Sequence, residues 1–110
     1  MPFDPEIADR LRLLLQDQAG LREQRMFGGV AFMIHGNLAV AASSQGGILL
    51  RVDPGDADAL AARPHARRFV MRGRELAGWL HVEPGGVRTE EDLAAWTAIG
   101  LAHVHTLPPK

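Results

Sequence analysis

Cysteine is absent from the 110 residues, which excludes disulfides, thiolate nucleophiles and thiolate-held metals. Tyrosine is absent as well, and aromatic residues make up only 5% of the chain, so little is available for stacking nucleic-acid bases. An excess of charge is also missing. Twelve basic residues meet thirteen acidic ones, for a net charge of -1, so no broad field draws the chain to nucleic acid or an anionic membrane. No apolar run approaches the roughly 18 residues that span a bilayer. The opening MPFDPEIADR carries acids and prolines where a signal peptide has a basic start and an apolar core. The expectation is a cytoplasmic chain folded as a single domain over residues 1–110, long enough to bury its own core.

The residues that are present divide into short, well-punctuated segments. Asp4 and Pro5 offer an N-cap acceptor and a first-turn proline. Ile7, Leu11, Leu14 and Leu15 follow at helical spacing, and Gly20 is a stop. A strand is expected from about Arg25 to His35, interrupted by Gly28-Gly29, with a tight turn at Gly36-Asn37. Further strands are expected over Leu38–Ser43 and Ile48–Val52, and a short helix over Ala57–Ala62. A second hairpin joins Phe69–Arg72 to Gly78–Glu83. Thr89 then caps a final helix with Glu90, Glu91 and Asp92 in its first turn. Leu93, Trp96, Gly100, Val104 and Leu107 share one face of that helix. The order α-β-β-β-α-β-β-α predicts an α+β domain: an antiparallel sheet of about five strands packed with two or three helices.

Two strands are apolar on both faces. Val30, Phe32 and Ile34 alternate with Ala31, Met33 and His35, and Leu38, Val40 and Ala42 alternate with Ala39, Ala41 and Ser43. A sheet with one wet face reads apolar on one side only. Ala31, Met33, Ala39 and Ala41 are therefore expected to lie under a dry cover, either helices on both sides of the sheet or a second copy of the chain; the picture drawn is two helices on one face and a partner copy on the other. A homodimer is the expectation.

Candidate chemistry is sparse. His103 and His105 lack the spacing of a helical metal pair, and His35 and His81 lie on separate segments, so no metal or cofactor is expected. Ser43 and Ser44 do not sit in a nucleophile elbow, and the chain is expected not to be an enzyme. The one basic concentration is RPHARRFVMRGR, residues 63–74. Arg67, Arg68, Arg72 and Arg74 are the candidate contacts for an acidic protein partner or, as the alternative, for nucleic-acid phosphates. A small-molecule site around His35, His81 or Glu83 is a further alternative. Trp79 and Trp96 are assigned to the core, with Gly78 making room for the ring beside it. The pair Gly28-Gly29 is read as a bulge or bend where a surface must come close.

RMFGGVAFMIHGN after an amphipathic helix, then LLRV, RPHAR, GRELAGWLHV and a last helix ending AHVHTLPPK, resembles the N-terminal domain of the TfoX/Sxy family, in order and over nearly the whole chain. Met26, Phe27, Gly28 and Gly29, with Gly36, Pro64-His65-Ala66, Gly78-Trp79 and Leu107-Pro108-Pro109-Lys110, carry the resemblance. It implies a compact α+β domain similar to type III secretion chaperones, which often dimerise. It also implies a regulatory role, since family members act as positive regulators of DNA-uptake genes. Larger members carry a C-terminal domain that this sequence does not show, so the likeness is to a stand-alone N-terminal domain. The family domain offers no established catalytic residues to carry over.

Overall fold

The computed structural model describes residues 4–26, 28–71 and 73–109; Phe27, Arg72 and Lys110, all named above, lie outside the described residues. The first helix, α1 (Pro5–Leu15), starts where Asp4 accepts a hydrogen bond from the Glu6 amide. The last, α3 (Glu90–Val104), starts where Thr89 accepts one from the Asp92 amide. Between them run β1 (Leu21–Met26), β2 (Gly29–Ile34), β3 (Asn37–Ala42), β4 (Ile48–Arg51), a short α2 (Ala57–Ala61), β5 (Ala66–Met71) and β6 (Arg74–Val82). The strands form one antiparallel sheet in the order β1-β2-β3-β4-β6-β5. The α+β class is as expected.

The single strand expected from Arg25 to His35 is two strands. Met26 pairs with Gly29, so the chain reverses direction between them: Gly28 lies in the turn and Gly29 opens β2, where a bulge or bend within one strand was expected. Gly28 takes a positive φ of 76°, which an L side chain adopts at a cost. Gly29 has another reason: a Cβ there would land on the Ala42 carbonyl oxygen. The next hairpin turns at His35-Gly36, one residue before the expected position, with Ile34 paired to Asn37.

All three helices pack on the same side. Ile7, Leu11 and Leu15 of α1, Ala57 and Leu60 of α2, and Leu93 and Trp96 of α3 form one buried cluster with Val30, Phe32, Val40, Leu50, Leu80 and Val82. Each large aliphatic side chain buried this way contributes about 2 kcal/mol. No helix among the described residues is long and apolar enough to cross a membrane.

Among the described residues, the other face of the sheet carries no helix. Ala31, Leu38, Ala41, Leu49 and Phe69 form a second cluster there, with Met26, Met33, Leu76 and Trp79 packed around them. In a flat sheet, β1 and β5 would lie about 24 Å apart, five strand spacings. Yet Met26 of β1 and Phe69 of β5 line the same hollow. The sheet therefore curls about this face, and its own side chains close partly over the small residues at its centre.

Two irregularities decide which side chains reach that face. Phe32 pairs with Val40 but Met33 pairs with Leu38, which leaves Ala39 as the extra residue of a bulge, and such a residue resets the alternation. Ala39 consequently turns away from Ala31, Met33 and Ala41. It is fully buried against Ile34 and Val104, on the side of α3. Its expected place on the second face is corrected by that one residue. The second irregularity lies between Arg68 and Val70, where pairing with β6 skips from Leu80 to Glu75. Gly78, at φ 78°, sits in the skipped stretch beside the Val52 carbonyl, and the chain turns there so that Trp79 points to the uncovered face.

Candidate protein-binding face

Register places the charged side chains of the sheet without ambiguity, because directly paired residues share a face. One row across the uncovered side reads Gln24, Ala31, Ala41, Leu49, His81 and Arg67. A second places Arg22 beside Met33 and Leu38. A third pairs Arg51 with Trp79, the guanidinium lying 5.2 Å from the ring centroid.

The strand carboxylates are Glu23 and Glu75, and both turn the other way. Glu23 accepts hydrogen bonds from Arg12 of α1 at 2.6 and 2.7 Å, and this partner holds its carboxyl below the usual value. Glu75 lies 3.8 Å from Arg68. Arg74 lies two residues before Leu76 and shares its face, so the charged strand residues on the uncovered face are arginines: Arg22, Arg51, Arg67 and Arg74. None of the four forms an ion pair with a carboxylate among the described residues. An apolar surface edged by unpaired guanidinium groups favours a ligand that is itself apolar and acidic.

The four candidate arginines do not form one patch. Arg67 lies on the uncovered face beside His81, whereas Arg68, one residue on, turns to the helix side and pairs with Asp58. Arg74 starts β6 next to the hairpin tip, and Arg72 is outside the described residues. Arg63 stacks on Trp96 at 5.5 Å. Regular alternation along a strand separates neighbours in sequence, and the basic run is divided by it.

Trp96 sits in the helix-side core as expected. Trp79 does not: it is half-buried on the open face. The histidines of the small-molecule alternative lie at opposite ends of the sheet, His35 in the β2–β3 turn and His81 beside the first residues of β4. His81 is buried with its Nε2 2.7 Å from the Gly46 carbonyl oxygen, to which it donates. Burial pushes its pKa below the ordinary value, with the charge of Arg67 adding to the effect.

Arg51 was not singled out by sequence reasoning. It stands outside the basic run, and its signal is the cross-strand partner Trp79, twenty-eight residues away in sequence and adjacent only through the β4–β6 pairing.

A curled antiparallel sheet, with three helices on one face and an apolar, arginine-edged surface on the other, defines an α+β domain built to present one sheet face. The family model of the TfoX N-terminal domain matches residues 13–104, and the chain belongs to that family. No curated protein and no solved structure matches it.

Proposed function

We propose that this chain is a non-enzymatic, cytoplasmic regulatory domain that acts by binding another protein through the uncovered face of its sheet. Membership of the TfoX N-terminal family supports the regulatory part, and control of natural competence is the process to which the family likeness points. The observation that carries the contact is the pairing of an apolar cluster with arginines that lack carboxylate partners. A partner presenting carboxylates around an apolar patch complements that surface. A second copy of the chain complements it less well, because face-to-face packing sets arginine against arginine.

The test is capture of the full chain's partners from nuclease-treated host lysate, run beside the variant Met33→Asp, followed by binding of the purified partner to both forms. The expected result is one protein retained stoichiometrically by the natural chain and lost with Met33→Asp, while the two forms unfold at similar temperatures. Equal retention by both forms, or recovery of the chain alone, would overturn the reading.

A further inference from the structure

The uncovered face is not uniform. Near the end of β4 it holds a hollow of about 220 Å³, walled by Met26, Met33, Leu38, Phe69, Leu76 and Trp79. That exceeds the roughly 150 Å³ that accommodates one benzene ring, and it falls below the roughly 300 Å³ at which drug-sized sites begin. The fit is to a single ring or a short chain with a small appendage.

One charged group, Arg51, completes the lining. Its guanidinium is oriented by the Trp79 ring at 5.2 Å, and among the described residues no carboxylate pairs with it. A planar fork of donors held at an apolar wall matches a carboxylate, which accepts two parallel hydrogen bonds from it. A dianion such as a phosphate monoester is matched less well, since a single guanidinium in apolar surroundings leaves one of its charges uncompensated.

We infer that this hollow is a binding site for a small apolar monocarboxylate, whose ring or short chain occupies the methionine-, leucine- and tryptophan-lined space while its carboxylate pairs with Arg51. The site stands independently of the protein contact proposed above, although it lies on the same face.

The probes are 3-phenylpropionate and its neutral amide, titrated into the full chain and followed by the backbone and indole N–H signals in NMR. The carboxylate is expected to shift the Trp79 indole and the Leu38 and Met33 amides saturably, leaving the Trp96 indole on the helix side unmoved. The amide is expected to bind about tenfold more weakly, the loss of one charge-assisted pair at a partly exposed site. In Arg51→Gln the two probes are expected to bind alike. Arg51→Lys, which keeps the charge without the fork, is expected to retain part of the preference and serves as the second variant should Arg51→Gln fail to fold. Equal affinity for both probes in the natural chain overturns the inference. So do a preference that survives Arg51→Gln, or shifts centred away from Trp79. Each of these results leaves the capture experiment unaffected, so failure of the one reading is distinguishable from failure of the other.

Discussion

Gly28 and Gly29 are neighbours with unequal burdens. Gly28 supplies a positive φ beside Ser44, so Gly28→Ala is expected to cost about 1 kcal/mol, the strain of an L residue in that region. Gly29→Ala drives a methyl group into the Ala42 carbonyl, and a rigid backbone atom does not yield as a side chain does. Its cost is expected to reach roughly 3 kcal/mol, with urea unfolding of the two variants giving the order. The pair was visible in the sequence as glycines in an apolar run. What forbids a side chain at Gly29 is a carbonyl in a neighbouring strand, which no local pattern contains. His81 is the other residue with a measurable signature. Because burial lowers its folded pKa below 6.5, the unfolded chain takes up the proton first as pH falls. Its contribution to stability is therefore present above about pH 7, is lost as pH drops through 6.5, and levels off below the folded pKa. His81→Gln is expected to flatten that part of the stability-against-pH curve relative to the natural chain, as thermal unfolding between about pH 5 and pH 8 would report.

Among the elements, helix ends were the most legible. Asp4-Pro5 and Thr89 with its three following acids state their roles locally, and both caps form as their chemistry requires. β1 was least legible. LREQRM has no apolar alternation and is largely exposed, because it is an edge strand held by pairing with β2 rather than by burial, with charges that discourage further pairing. The bulge at Ala39 was likewise hidden, since an added residue breaks no composition rule yet reverses which neighbours share a face. α3 offers a test of how closely helix and sheet approach. At Gly100 a Cβ would lie 2.7 Å from Leu50 Cδ1 and 2.8 Å from the Ala39 carbonyl oxygen. Gly100→Ala gains about 1 kcal/mol of helix propensity, while overpacking of this kind costs about 1–3 kcal/mol. The clash is expected to win, with a net loss of about 1 kcal/mol in chemical denaturation and weakened packing of Val104 on Ala39.

Across the whole molecule the sequence had announced two dry sheet faces, and the structure explains the second one differently from the first. Helices cover one, while curvature and the large side chains of Met26, Phe69 and Trp79 partly close the other. That distinction lay beyond the sequence because it depends on strand order and curl, which arise only when β6 inserts between β4 and β5. The orientation of Glu23 and Glu75 toward the helices has a consequence for motion in solution. The helices on that side also carry Glu6, Asp9, Asp58, Glu90, Glu91 and Asp92 against the two cations Arg10 and Arg12, while Arg22, Arg51, Arg67 and Arg74 look the opposite way. A molecule with a net charge of only -1 is thus an electric dipole. An approaching acidic surface exerts little net force on it but a definite torque, and turns its arginine side forward before contact. Its association rate with an acidic partner is expected to fall as salt is added, whereas the repulsion implied by its net charge alone would make that rate rise.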